Sequence, residues 1–118
     1  MNIESAAVQD LLAIVQDIKA QGFRLGQICA TVAGETLEIL YTFEKGNVLQ
    51  NYKFVIDAKA PEMQSVTAIY HYAFVYENEI HDLFGVKFKN LALDYGGGFY
   101  KLSKETPWNP LFGNGGEN

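Results

Sequence analysis

Cysteine is nearly absent: Cys29 is the only one among 118 residues. An internal disulfide is therefore excluded, and the alternating apolar context of Cys29 predicts a buried thiol in a chain suited to a reducing cytosol. Basic residues are also scarce, 9 Lys and Arg against 14 Asp and Glu for a formal net charge of -5. That balance leaves no footprint for nucleic acid or an anionic membrane surface and points to a basic protein partner. Long apolar runs are missing as well. The longest aliphatic run near the start, residues 11–15, is too short to span a bilayer, and no basic n-region precedes it. The expectation is a soluble chain that meets a membrane only through partners. Neither an internal repeat nor a second domain is visible.

What the chain does have is enough apolar material, 48% hydrophobic residues, to fill one two-layer core. Ile3, Ala7, Leu11, Ile14, Val15 and Ile18 recur at helical spacing, opposite Gln9, Asp10, Gln16 and Asp17. This predicts an amphipathic helix capped by Asn2 or Ser5 and ended by Gly22. In "TLEILYTFE", Leu37, Ile39, Tyr41 and Phe43 alternate with polar residues, Leu40 alone breaking the polar row. That period of two predicts a strand with one buried face. A weaker strand over residues 24–32 precedes it through Gly34 and Glu35. "VLQNYKFVID" follows it through "KGN" and stops near Ala58, because Pro61 removes a backbone donor and restricts Ala60.

From about Val66 the spacing becomes helical again. Ile69, Tyr72, Ala73, Tyr76, Ile80, Leu83 and Phe84 form an inner stripe, and Gly85 is placed to stop the helix. "VKF" at residues 86–88 predicts a short last strand. The fold class is thus α+β: a two-layer domain with an antiparallel sheet of three to four strands and two long helices packed on one face. The domain is assigned to residues 1–102 and a flexible tail to residues 103–118.

The second helix carries the chemistry. "YENEIHDLFGV", residues 76–86, sets Glu77, Glu79, His81 and Asp82 into an otherwise apolar run. At about 100° per residue, Glu77, Asn78, His81 and Asp82 are expected to face outward together with Phe74 and Val75. Glu77 and His81 lie one turn apart, as two metal ligands can, yet His71 is ten residues from His81 and no Cys or His cluster supplies the remaining ligands of a zinc site. The simpler reading pairs His81 with Glu77 at the surface. A small metal-dependent or acid-base enzyme using Glu77, His81 and Asp82 is the rival reading, but no nucleophile or oxyanion donor accompanies them. Glu79 and Asp82 sit where the helix dipole disfavours anions, and Phe74 and Val75 add exposed apolar bulk; a docked partner bearing Arg or Lys accounts for both. "GGG" at residues 96–98 lacks the spacing of a phosphate loop and reads as a turn. In the tail, Trp108, Leu111 and Phe112 either return to the core or anchor on another chain.

Residues 65–88, "SVTAIYHYAFVYENEIHDLFGVKF", resemble the signature region of the 30 kDa subunit family of respiratory complex I, the NADH dehydrogenase. Ser65, Val66 and Thr67 match its lead-in; Glu77, Glu79, Asp82, Leu83, Phe84 and Gly85 match its helix. Asn78 stands where that family carries Arg, and "NLALDYGGGFYKLS" replaces its His-Pro-Asp-Leu-Arg-Arg segment. This ending resembles the small subunit of energy-converting Ech-type nickel-iron hydrogenases. The resemblance implies a non-catalytic subunit that docks on the large hydrogenase or complex I-like subunit in the electron-transfer arm, beside other peripheral-arm subunits. The equivalent small subunit of an NADH:quinone oxidoreductase is the alternative. The implied interface is Phe74, Val75, Glu77, Asn78, Glu79, His81, Asp82, Trp108 and Phe112. No cofactor is implied in this chain, since the cysteine sets of iron-sulfur clusters are missing. The nickel-iron centre and the clusters belong to partners, and the implied location is cytoplasmic, peripheral at the inner face of the cell membrane.

Overall fold

A computed structural model describes residues 3–90. The elements run β1 (Ile3–Ala6), a 3₁₀ turn (Val8–Asp10), α1 (Leu11–Ala20), β2 (Arg24–Ala33), β3 (Thr36–Lys45), β4 (Val48–Asp57), β5 (Glu62–Gln64), α2 (Ala73–Phe84) and β6 (Lys87–Lys89). The class is α+β as the patterns predict, but the helices are short, 10 and 12 residues. The expected tail and its Trp108 and Phe112 lie outside the described residues.

Strands β2, β3 and β4 make the antiparallel meander that alternation implies. Two-residue loops join them, and Gly34 and Gly46 take the positive φ such tight loops need (+66° and +60°). Along β3 the inner row, Leu37, Ile39, Tyr41 and Phe43, is fully buried, while Glu38, Leu40 and Thr42 face the open side and are half-buried. Phe54 meets Tyr41 edge-on at 5.4 Å between ring centroids. This face shares one continuous core with Leu11, Val15 and Ile18 of α1 and Ala73, Ile80 and Phe84 of α2.

The fourth strand departs from expectation. Residues 3–6 do not begin the first helix; they pair in parallel with β4, from Ile3 opposite Asn51 to Ala6 opposite Phe54, giving the order β1-β4-β3-β2. The free edge of β4 offers backbone partners that an exposed first helical turn lacks, and four residues are too few for alternation to declare itself. α1 consequently starts at Leu11 with no side-chain cap at Asp10. Gly22, at φ +93°, does end it, and the Lys45 ammonium caps it by donating to Gln21 O at 2.7 Å. "VKF" contributes a strand, but β6 pairs in parallel with β5 in a separate two-stranded sheet.

The second helix is shorter than its spacing suggests. Residues 66–72 form turns, with Ile69 N–H and Tyr70 N–H both donating to Val66 O, and α2 begins only at Ala73. Tyr72, expected on the inner stripe, is exposed. Cys29, expected to be buried, is exposed on the open face of the sheet, because it lies opposite Leu40, itself opposite Lys53, rather than opposite the inner row. A bulge at Gly26 shifts the β2–β3 register. The Gly26 carbonyl accepts from the Tyr76 hydroxyl at 2.9 Å, tying α2 to this edge strand.

Candidate functional site

The residues of α2 divide into an inner and an outer set, and Glu77 belongs to the inner one. Ala73, Glu77, Ile80 and Phe84 are all buried; their offsets of four, three and four residues trace one helix face. The outward placement of Glu77 is therefore corrected: its accessibility is 0%. Tyr76, which sequence spacing assigned to the stripe, is only half-buried and reaches sideways to Gly26.

A carboxylate inside a core needs partners, and those of Glu77 come from the segment just before α2. Oε1 receives the Ser65 hydroxyl at 2.8 Å and Oε2 the Val66 N–H at 2.8 Å. Ser65 Oγ also lies 2.7 Å from Thr67 Oγ1 and accepts the Thr67 N–H at 3.1 Å. Ser65 and Thr67 are themselves buried. These local side-chain bonds to backbone compete with helix formation, which is why the helical spacing from Val66 onward gives turns instead. The network is a clasp between residues 65–67 and α2. Burial pushes the Glu77 carboxyl up to about 7, against the lowering effect of the Val66 and Ser65 hydrogen bonds. Tyr41, fully buried on β3, has its phenol pushed well above its ordinary value by burial and then by the Glu77 charge. Among the described residues the Tyr41 hydroxyl has no hydrogen-bond partner.

The remaining interface candidates of α2 are brought together on or beside its outer face. Val75 is 52% exposed, Glu79 is exposed, and Phe74, Asn78, His81 and Asp82 are half-buried. Tyr72, 51% exposed, extends the row Val75, Glu79 and Asp82 by one more turn at offsets of three, four and three. His81 Nδ1–H donates to Val86 O at 3.0 Å, close to the left-handed Gly85 (φ +79°) that ends α2. Asn78 Oδ1 is buried without a hydrogen-bond partner among the described residues. Among the described residues no three His, Cys, Asp or Glu side chains come close enough to hold a metal ion, and no helix is long and apolar enough to cross a membrane.

Sequence reasoning missed Ser65 and Thr67 as functional partners of Glu77, and it missed Tyr72 as a surface residue. The signal for the first was present: Glu77 completes the spacing Ala73, Ile80, Phe84, and a Ser-x-Thr pair ahead of a helix is suited to bonding its own backbone.

Fold and site together define a small α+β subunit with an internal acid clasp and an amphipathic outer helix face. The chain belongs to the family of the respiratory-chain NADH dehydrogenase 30 Kd subunit, whose model matches residues 1–93. No individual curated protein sequence matches it. Among solved structures it is similar to a trypsin-resistant fragment of Nqo5, with a TM-score of 0.67 and 19% identity over 78% of this chain and 81% of that one. It is also similar to a chain of the membrane-bound sulfane sulfur reductase, an archaeal respiratory membrane complex, with a TM-score of 0.70 and 21% identity over 93% of this chain. It spans 66% of that second chain. At these identities the structural likenesses establish the shared fold.

Proposed function

We propose that the chain is a non-catalytic assembly subunit of a membrane-associated, energy-converting nickel-iron hydrogenase of the Ech type, docking through the outer face of α2 on the large catalytic subunit. The observation that carries the docking is the exposed row Tyr72, Val75 and Glu79, which sets aromatic and aliphatic area beside acid along α2 and its N-cap in a 30 Kd family subunit. Exposed rings and aliphatic groups supply the apolar centre of an interface, and acids around them select a basic partner and fix its register. Catalysis and its cofactors, the nickel-iron centre and the iron-sulfur clusters, belong in this reading to partner subunits, and membrane association is indirect, at the cytoplasmic side. The similarity to a chain of an archaeal respiratory membrane complex supports a host of the membrane-bound class.

Affinity purification of the tagged chain from its native cells tests the reading. Wild type is expected to bring down a nickel-containing large subunit, and a Val75→Asp variant that still folds is expected to lose it. Co-purification of a quinone-linked NADH dehydrogenase would transfer the chain to that host. Retention of the large subunit by Val75→Asp would remove the α2 face from the interface.

A further inference from the structure

We propose that Glu77, Ser65 and Thr67 form a proton-linked latch, which holds residues 65–72 closed on α2 while the carboxyl is protonated and loosens them when it ionises. Hydrogen-bond counting shows how both states are accommodated. Protonated, the Glu77 carboxyl donates to Ser65 Oγ across 2.8 Å, and Ser65 in turn donates to Thr67 Oγ1 across 2.7 Å. Ser65 Oγ also accepts the Thr67 N–H, and Val66 N–H donates to the other carboxyl oxygen, so the carboxyl, the Ser65 hydroxyl and both amides are paired without a buried charge. Ionisation reverses the hydroxyl pair: Thr67 O–H donates to Ser65, and Ser65 O–H donates to the carboxylate. The bonds survive, but a full charge with only two donors now sits at 0% accessibility.

Among the described residues no ion pair reaches Glu77, so no cation there compensates the charge. From β3 it feels Tyr41, whose hydroxyl is buried and unbonded. On its own helix His81 and Asp82 follow one turn later, both half-buried. In the connection, Tyr70 OH is committed to Phe23 O at 2.6 Å, and His71 and Tyr72 are exposed. From the nearest edge strand, β2, Arg24 and Cys29 are exposed, and Lys87 and Lys89 of β6 are exposed as well. A buried uncompensated charge is relieved by opening whichever neighbouring element is held least firmly. The opening is assigned to residues 65–72, which belong to no strand or helix and, apart from the clasp, are held by single bonds such as Ser65 N–H to Lys89 O and Tyr70 OH to Phe23 O. The upward displacement of the carboxyl, to about 7, puts the change near neutrality.

The test is amide exchange of the full chain across pH, with protection at Val66 and Thr67 corrected for intrinsic exchange. Protection is expected to fall roughly tenfold or more between about pH 5.5 and about pH 8, with its midpoint matching the carboxyl-carbon NMR titration of Glu77. Glu77→Gln, which mimics the protonated acid, is expected to abolish the fall. His81→Asn is expected to leave it, separating the latch from the other ionisable side chain one turn further along α2. Thr67→Val removes the acceptor for Ser65 in the protonated state and is expected to lower the midpoint. A fall that persists in Glu77→Gln, or vanishes in His81→Asn, overturns the latch. If Glu77→Gln does not fold, wild type alone decides: a carboxyl titration without a matching change at Val66 and Thr67 overturns it. None of these readouts involves a partner, so the docking reading and the latch fail independently.

Discussion

The Val66 N–H donates to Glu77 Oε2 at 2.8 Å, so the backbone of an irregular connection is bonded to a side chain eleven residues later in the middle of a helix. This bond turns a sequence signature into a structural joint. The acid of the signature does not wait for a partner; it fixes where α2 starts and how it lies against the turns before it. The outer face of the same helix, with Val75 and Glu79, is thereby fixed against the core, and Tyr72 lies just before its first turn.

Removal of the acid should cost the domain its joint. Glu77→Ala leaves the Ser65 hydroxyl and Val66 N–H without their acceptor and opens a cavity, for an expected loss of about 3 to 5 kcal/mol. Glu77→Gln keeps one acceptor oxygen and can donate to Ser65, so it should lose much less. Urea melts at about pH 6 compare the two. Equal losses would falsify the clasp as a hydrogen-bonded structure.

The pH dependence has a definite sign. The Glu77 carboxyl is raised from 4.5 to about 7 in the folded chain, so the folded state holds its proton more tightly than the unfolded state. Its contribution is complete below 4.5, falls as pH rises through about 7, and is then level. With roughly 1.4 kcal/mol per unit, wild type should lose on the order of 3 kcal/mol relative to Glu77→Gln across that window. Parallel denaturant midpoints of the two proteins from about pH 4.5 to about pH 8 would count against the assignment.

Two buried tyrosines should behave oppositely. Tyr41 OH is buried without a partner among the described residues, whereas Tyr70 OH donates to Phe23 O at 2.6 Å. Tyr41→Phe removes an unpaired polar group and should be neutral or stabilising. Tyr70→Phe removes a made bond and orphans a carbonyl, costing about 1 to 2 kcal/mol. If Tyr41→Phe proves the more damaging change, its hydroxyl holds a bond, for instance to an internal water, that the geometry does not show.

The meander was legible because β3 alternates over nine residues and Gly34 and Gly46 stand where tight loops need them. β1 was not, because four residues carry almost no periodic information and parallel pairing to β4 is a long-range event. The misplacement of Glu77 has a different cause: residue type outweighed position. A carboxylate was assigned to water although Ala73, Ile80 and Phe84 marked its face as internal, and its partners, the Ser65 hydroxyl and the Val66 N–H, lie far from it in the helical count. Cys29 fell to register, since the Gly26 bulge and the pairing with Leu40 turn it to the open face. The outward placement of Val75 followed directly from helical angle, which had left Glu79 unassigned.

The division of α2 into two faces gives the last expectation. Ile80 and Phe84 are 3% and 5% exposed and belong to the core, so Ile80→Ala and Phe84→Ala should each destabilise the isolated chain by roughly 2 to 5 kcal/mol. Tyr72, Val75 and Glu79 face outward, and alanine at any of them should change stability by no more than about 0.5 kcal/mol. Under the docking reading, the same three substitutions should weaken capture of the large subunit, Tyr72→Ala most, because an aromatic anchor at an interface centre commonly contributes about 2 kcal/mol or more. Glu79→Ala should act mainly on the association rate and its salt dependence, as rim charges do. Melts and binding measured on all five variants read the faces separately. If the outer three bind as wild type while the inner two lose binding only in proportion to their unfolding, α2 holds the domain together and its outer face meets no large subunit.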